Sequence, residues 1–164
     1  LAAHVDVNAL DLPDVDADLE RAAADSVKRI HHAASDEESP WEIAAFLDLL
    51  PRELEGRALR HAVEARHASF DCEEFFELAR RHEVAIVEAG DSEHPRIQAR
   101  TAPFSYLRVM GTKASSPNGY APAALKRWAG HAQTLSREGD VFFYFISGAK
   151  ERNPHAARAL LAEL

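Results

Sequence analysis

Acid–base and cationic side chains are closely spaced in the stretch HAVEARHASF, which covers residues 61–70. Glu64 and Arg66 are two residues apart, and His67 follows directly. If this stretch is a β-strand, Glu64 and Arg66 face the same side, because side chains alternate along a strand. A carboxylate and an imidazole can move protons, and a guanidinium can hold an anion. The spacing therefore predicts acid–base chemistry on an anionic molecule at the end of this strand.

Similar side chains lie near the ends of three further apolar segments, at residues 84–90, 104–110 and 141–147. If these segments are parallel neighbouring strands, their end residues gather around one opening. The predicted proton-transfer residues are Glu64, His67 and Glu88. The predicted ligand-binding residues are Arg66, Arg108, Tyr144, Ser147, Gly148 and Lys150. The alternative is that the carboxylates and guanidinium groups of this set form structural ion pairs.

The loop SGAKERNP follows the last apolar segment and leads into a helix start. Glycine loops at this position often bind phosphate, because backbone N–H groups and the helix dipole favour an anion there. Ser147, Gly148 and Lys150 are the expected donors. The spacing differs from that of a Walker loop, and the alternative is an ordinary strand-to-helix turn.

Four short apolar segments, rich in β-branched or aromatic residues, predict buried strands at 59–65, 84–90, 104–110 and 141–147. Helical spacing of apolar residues predicts helices at 39–51, 71–81, 121–138 and from 153 onward, with Leu160, Leu161 and Leu164 on the inner side of the last one. Near the start, a stripe of Leu19, Ala23, Val27 and Ile30 also fits a helix. Alternation of strands and helices predicts the α/β class with parallel strands, either open or closed as part of a barrel.

The 164 residues are enough for one domain with a hydrophobic core. Residues 1–50 hold 12 acidic and 3 basic residues, whereas residues 51–164 hold 15 acidic and 16 basic residues. The net charge of −8 therefore comes from the first third, which would repel a nucleic acid. No signal peptide or apolar span is apparent, and the single cysteine, Cys72, favours a reducing, cytoplasmic setting.

Metal and cofactor chemistry have weaker support in the sequence. The nine histidines form no H-E-x-x-H pattern, and no metal ligand is predicted. A hard divalent ion held by Glu64, Glu88 and Asp91 is kept as an alternative, and the cofactor is otherwise unknown. Cys72 is expected to be an inert thiol. Trp128 lies on the apolar face of its predicted helix and is expected to belong to the hydrophobic core.

The segments HAVEARHASF, FSYLRVMG, GYAPAALKRWA and VFFYFISGAKERNPHAA follow one another in an order that resembles the YecE-like proteins, a domain family of unknown function. WEIAAFLDLLPREL also resembles the family segment before the first of these. The resemblance implies a TIM-barrel-like (β/α)8 fold, with its site at the carboxyl ends of the strands. Met110 stands where many members have histidine.

The resemblance begins near residue 40. It therefore predicts an acidic N-terminal segment at 1–38 that does not match the family and a YecE-like α/β barrel portion at 39–164. The glycine-rich opening of the family and the strand before AAFLDLLP have no counterpart. A complete barrel typically needs about 200 residues or more. The expectation is thus a partial or complete barrel: the chain is part of a longer protein, pairs with a second copy or partner that completes the barrel, or supplies replacement strands from its first 38 residues.

Together, the residues and the resemblance predict a cytoplasmic protein that binds a small anionic, potentially phosphorylated molecule at the strand ends, with acid–base chemistry if it is an enzyme. Neither nucleic acid nor membrane is an expected partner. The alternative is a non-catalytic interaction or scaffold protein with a degenerate site. Whether the protein is an enzyme is left open, because barrels of this kind host many unrelated functions.

Overall fold

The computed structural model describes residues 3–4, 27–31, 40–146 and 148–164. The chain divides into two compact units. We call Ala9–Val87 with Ile97–Ala102 the amino-terminal unit. Leu1–Asn8, Glu88–Arg96 and Pro103–Leu164 form the carboxy-terminal unit. The chain passes between the two units four times, and each unit is described separately.

The amino-terminal unit holds parallel strands covered by two helices. Its elements are β2 (Val27–His31), α1 (Pro40–Asp48), β3 (Glu53–Leu54), β4 (Arg57–Ala58), β5 (Arg60–Glu64), α2 (Glu73–Arg81) and the start of β6 (Ala85–Gly90). β2 pairs with β5, and β5 pairs with β6, both in parallel. The strands β3 and β4 form a separate antiparallel hairpin.

The core of the amino-terminal unit lies between its strands and the two helices. Phe75, Leu78 and Ala79, which share one face of α2, are buried there. They pack with Val63 and Ile86 from β5 and β6. Because Val63 points into this core, Ala62 and Glu64 on either side of it in β5 face the opposite side of the strand.

The carboxy-terminal unit has the same pattern of strands and helices. Its elements are β1 (Ala3–His4), the end of β6, β7 (Phe104–Val109), α3 (Pro122–Ser136), β8 (Asp140–Phe145) and α4 (Asn153–Leu161). β1 pairs with β8, and β8 with β7, in parallel. A short 3-10 helix at Lys150–Arg152 leads directly into α4.

The two faces of β7 and β8 carry different side chains. Leu107, Val109, Val141, Phe143 and Phe145 pack against apolar residues of α3 and α4. The other face carries an aromatic row in which Phe142 contacts Phe104 and Tyr106, and Tyr106 stacks on Tyr144 with ring centroids 4.8 Å apart. α3 and α4 therefore cover one face of the sheet, and the residues that alternate with this core lie on the other face.

The structure confirms the α/β class, the four predicted strands and their parallel pairing within each unit. The strands that the structure describes do not close into a barrel, so the TIM-barrel-like (β/α)8 fold stays a prediction. Among the described helices, none combines the length and apolar character that crossing a membrane requires.

Two local predictions were wrong. The helix expected through Val27 and Ile30 is instead strand β2 at those residues, because the backbone pairs with β5 over its whole length. A strand therefore does precede α1, where the sequence indicated none; the rest of the expected helix lies outside the described residues. Leu161 and Leu164, expected on the inner side of the last helix, are 46% and 39% exposed.

Candidate functional site

A cleft of about 740 Å³ lies in the carboxy-terminal unit, where β6 and β7 end and α3 begins. Its walls come from the loop after β6, the loop after β7 and residues of α3 from its start to His131. The lining includes four side chains that can carry positive charge, a carboxylate and two aromatic rings. These are Arg96, Lys113, Arg127, His131, Asp91, Tyr120 and Trp128. The cleft therefore lies at the carboxyl ends of two strands.

Glu88 lies beside this cleft and joins two of its lining residues. Its side chain is 9% exposed. The Arg96 Nε–H donates to Oε1 over 2.7 Å, and Nε2 of His131 lies 3.1 Å from Oε1 and 2.8 Å from Oε2. One shielded carboxylate thus holds a guanidinium from a loop and an imidazole from α3.

Trp128 packs against β6 because Gly90 leaves room for its ring. A Cβ atom at Gly90 would lie 2.4 Å from the Trp128 Cη2 atom, so only glycine fits there without movement. The indole N–H of Trp128 donates to Asp91 Oδ2 over 3.2 Å. The Arg96 Cζ atom lies 5.1 Å from the indole centroid, a cation–π distance. Trp128 is therefore both a core residue, as predicted, and a wall of the cleft.

Asp91 is held in a strained backbone conformation at the edge of the cleft. Its φ of 53° lies in the left-handed region, which costs a non-glycine residue about 1–2 kcal/mol. Gly111 lies so close that a Cβ atom there would be 2.9 Å from the Asp91 Cβ atom. The Tyr120 hydroxyl donates to the Asp91 carboxylate and accepts from the Gly111 N–H over 2.9 Å.

Burial, together with the adjacent Asp91 carboxylate, raises the pKa of Tyr120 far above its usual range. Below about pH 10 the hydroxyl is protonated in the folded and the unfolded chain, and its contribution to stability is complete. Above about pH 10 only the unfolded chain loses this proton, so the free energy of unfolding falls as pH rises. In Tyr120→Phe, we expect a flatter decline above that pH, measured by urea unfolding at several pH values. Equal declines in both proteins would contradict the assignment, because every other group titrates alike in them.

The predicted pair Glu64 and Arg66 lies in the amino-terminal unit and faces one side, as expected. Arg66 Nε donates to Glu64 Oε1 over 3.0 Å, and the Glu64 side chain is 0% exposed. Next to this pair, the Nδ1 atom of His67 accepts the Ser69 backbone N–H at 3.3 Å and lies 2.8 Å from the Ser69 hydroxyl. His67 therefore caps the 3-10 turn at Ala68–Phe70, a structural contact in addition to its predicted acid–base role.

Glu88 lies on a different face of its unit from Arg108 and Tyr144. It contacts His131 on α3, whereas Arg108 and Tyr144 alternate with the residues that pack against α3 and α4. Arg108 is 4% exposed and stands in register with Tyr144 on the neighbouring strand. Within the carboxy-terminal unit, the predicted residues thus form two groups rather than one ring.

The predicted phosphate loop packs tightly onto the loop after β7. Gly148 has a φ of 54°, and a Cβ atom there would lie 2.6 Å from Thr112 Oγ1 and 2.7 Å from the Met110 carbonyl oxygen. Lys150 is exposed at the start of the 3-10 helix, and Ser147 lies outside the described residues. The glycine is thus explained by close packing of two loops, and phosphate binding by the loop stays a prediction.

None of the residues that line the cleft was among the proton-transfer or ligand-binding residues that the sequence predicted, and Asp91 was named only for the alternative divalent ion. The charged and aromatic lining residues that were missed are Arg96, Lys113, Tyr120, Arg127, Trp128 and His131. Trp128 and His131 are three residues apart, the spacing that places two side chains on one face of a helix, and this was the signal available. Within the described parts of the chain, no group of three or more His, Cys, Asp or Glu side chains could hold a metal ion. The structure therefore gives the alternative divalent site no support.

Comparison with known proteins finds one family that matches most of the chain, both by sequence model and by solved structures. The family model "Protein of unknown function DUF72" matches residues 29–164. A solved DUF72 family protein from Thermotoga maritima MSB8 superposes with a TM-score of 0.55 at 23% identity, over 82% of this chain and 55% of that one. One from Enterococcus faecalis V583 gives a TM-score of 0.55 at 14% identity, over 82% and 58%. The comparison with curated proteins gave no match.

The solved structures and the family model support different conclusions about this chain. At 14% and 23% identity, the two solved structures support a shared fold alone. This chain spans a little over half the length of each of them. The match confirms the predicted family resemblance at the level of DUF72, while the YecE-like designation stays an inference from the sequence motifs.

Proposed function

Since the chain belongs to the DUF72 family, whose function is unknown, we propose its function from the cleft itself: it binds a small anionic molecule there. The observation that supports this is the charge of the lining. Lys113 and Arg127 are exposed, and neither takes part in an ion pair within the described residues. The one lining carboxylate, Asp91, is already engaged by Trp128 and Tyr120. Two cations are thus available to a ligand.

The position of α3 favours the same class of ligand. Ala121 and Ala124, at the start of this helix, line the cleft, and no side chain caps the helix there. Pro122 has no N–H, and the Ala124 N–H already donates to the Ala121 carbonyl oxygen, so the start of α3 contributes chiefly the positive end of the helix dipole. A volume of about 740 Å³ is that of a typical small-molecule site. A phosphate or carboxylate on a small molecule fits these features.

The proposal is tested by comparing two adjacent cations on α3. Arg127 lines the cleft, whereas Lys126 is equally exposed and does not. We expect inorganic phosphate, inorganic sulfate, glycerol phosphate or glucuronate to raise the melting temperature of the wild type. Arg127→Ala should weaken binding about tenfold or more, because a charge-assisted hydrogen bond contributes about 1.5–3 kcal/mol. Lys126→Ala should bind these anions with the affinity of the wild type. Calorimetric titration of the three proteins measures the affinities.

Three other outcomes would contradict this assignment. Equal weakening in both variants would indicate diffuse attraction between charges. Weakening in Arg66→Ala but not in Arg127→Ala would place the anion at the Glu64–Arg66 pair that the sequence predicted. A protein that melts cooperatively but responds to none of the four anions would favour a non-catalytic interaction or scaffold protein.

Two broader expectations remain part of the proposal. The single cysteine, Cys72, is free and partly buried, which fits the cytoplasmic setting that the sequence predicted.

Because the chain spans a little over half of the solved DUF72 proteins, a second copy or partner that completes a barrel also remains proposed. Size-exclusion chromatography with light scattering would measure the oligomeric state.

A further inference from the structure

We propose that His131 is the group that takes up a proton when an anion enters the cleft, and that Glu88 is the residue that positions it. This inference rests on the proposed function, because it concerns the same cleft and the same class of ligand. His131 would gain the proton at Nδ1, the nitrogen opposite its contact with Glu88.

The contact with Glu88 fixes which nitrogen of His131 carries hydrogen in the neutral ring. Nε2 lies within hydrogen-bond distance of both carboxylate oxygens, at 2.8 and 3.1 Å. A carboxylate only accepts hydrogen bonds, so Nε2 is the donor. Glu88 is shielded from solvent, which protects this contact from competition by water. Neutral His131 is therefore the Nε2–H tautomer, and Nδ1 keeps its lone pair.

The Nδ1 atom is the nitrogen available to a ligand. His131 lines the cleft with 24% of its side chain exposed. Within the described residues, its Nδ1 atom has no hydrogen-bond partner. The Trp128 ring, one turn earlier on α3, lies 6.1 Å away between centroids and limits rotation of the imidazole. Glu88 thus engages Nε2 at one edge of the ring, which leaves Nδ1 as the ring nitrogen that a ligand in the cleft can meet.

Charged and titratable groups surround the His131 ring. Glu88 from β6 and Arg96 from the next loop lie on the Nε2 side of the ring. The cleft walls add Asp91, Lys113, Tyr120 and Arg127. An anion bound near Nδ1 brings one negative charge to the open side of the ring, which favours the imidazolium form. In that form Nδ1–H donates to the anion while Nε2–H still donates to Glu88.

Calorimetry in different buffers measures this proton directly. Inorganic sulfate is titrated into the wild type near neutral pH, where sulfate itself does not change its charge. We expect the binding heat to vary linearly with the ionisation enthalpy of the buffer, and the slope to give an uptake of up to one proton per site. His131→Gln, which keeps a donor to Glu88, should bind sulfate with a slope near zero. His155→Gln, an exposed histidine on α4, should keep the wild-type slope.

The role of Glu88 has its own readout in the protein without ligand. In long-range ¹H–¹⁵N spectra, neutral His131 of the wild type should show a protonated Nε2 and an unprotonated Nδ1. A glutamine side chain can either donate or accept, so Glu88→Gln should give a mixture of the two tautomers. A purely structural role for Glu88 would leave the tautomer unchanged.

The outcomes separate this inference from the proposed function. Binding heat that does not depend on the buffer, or a slope retained in His131→Gln, would overturn the role of His131 while anion binding stands. A wild type in which neutral His131 carries its proton on Nδ1 would also overturn it. If sulfate and the other anions give no binding heat at all, the proposed function fails, and the proton uptake fails with it.

Discussion

Trp128→Ala is expected to lower the free energy of unfolding by about 3–5 kcal/mol and to abolish anion binding in the cleft. The ring is 8% exposed and packs with Leu125, Phe143 and other buried residues of the carboxy-terminal unit. Its removal leaves a cavity against Gly90, which has no side chain to fill it. The same change removes the donor to Asp91 and the aromatic face beneath Arg96.

Trp128→Phe separates these two effects of the indole. A phenyl ring keeps much of the packing but has no N–H to donate to Asp91. We expect the free energy of unfolding to fall by about 1.5–3 kcal/mol, the range for a hydrogen bond to a charged group. Urea unfolding followed by far-ultraviolet circular dichroism measures stability, and sulfate titration measures the cleft. If Trp128→Ala retained wild-type stability and sulfate affinity, the placement of this ring as both core and wall would be wrong.

Gly148→Ala should destabilise the protein by about 2–5 kcal/mol, the sum of a left-handed residue and overpacking. The φ of 54° disfavours any side chain at this position. The added Cβ atom would lie 2.6 to 2.8 Å from Thr112 Oγ1 and from the carbonyl oxygens of Met110 and Thr112. Two of these three atoms belong to the backbone, so a change of rotamer cannot relieve the contact.

Gly130→Ala is the matched control for this change. Gly130 lies on an exposed position of α3, and a Cβ atom there would meet nothing within 4 Å. Alanine in a helix interior is favoured over glycine by about 0.5–1 kcal/mol, so this variant should be slightly more stable than the wild type. Both variants are compared by the urea concentration at the unfolding midpoint. Equal midpoints for Gly148→Ala and Gly130→Ala would mean that the loop after β8 is not packed as described.

The sequence was most informative where apolar residues repeat at a fixed period. The buried runs at β5, β6, β7 and β8 predicted strands, and α3 was predicted from Leu125, Trp128 and Ala132 on one face. The pair Glu64 and Arg66 was predicted on one side of a strand, since alternation along β5 needs no tertiary information. These features depend only on contacts close in sequence.

Residues 27–31 show where sequence periodicity was insufficient. Val27 and Ile30 are three residues apart, which fits one face of a helix, and this favoured a helix. The structure instead pairs Val27–His31 with Arg60–Glu64 in a parallel ladder. Strand pairing depends on a partner about 30 residues away, and a local pattern of apolar residues contains no information about that partner.

By itself, the sequence determined the α/β class, the four strands β5 to β8 with the helices between them, and the contact between Glu64 and Arg66. It also carried the family resemblance that the match to the DUF72 model supports. Tertiary structure alone decided which face Glu88 occupies. All six residues of β6 are buried, so no alternation of polar and apolar positions distinguishes its two sides. The cleft likewise draws on loops after β6 and β7 and on one face of α3. Its chemistry exists only once packing brings Glu88, Arg96 and His131 to one point, because no spacing along the chain links them.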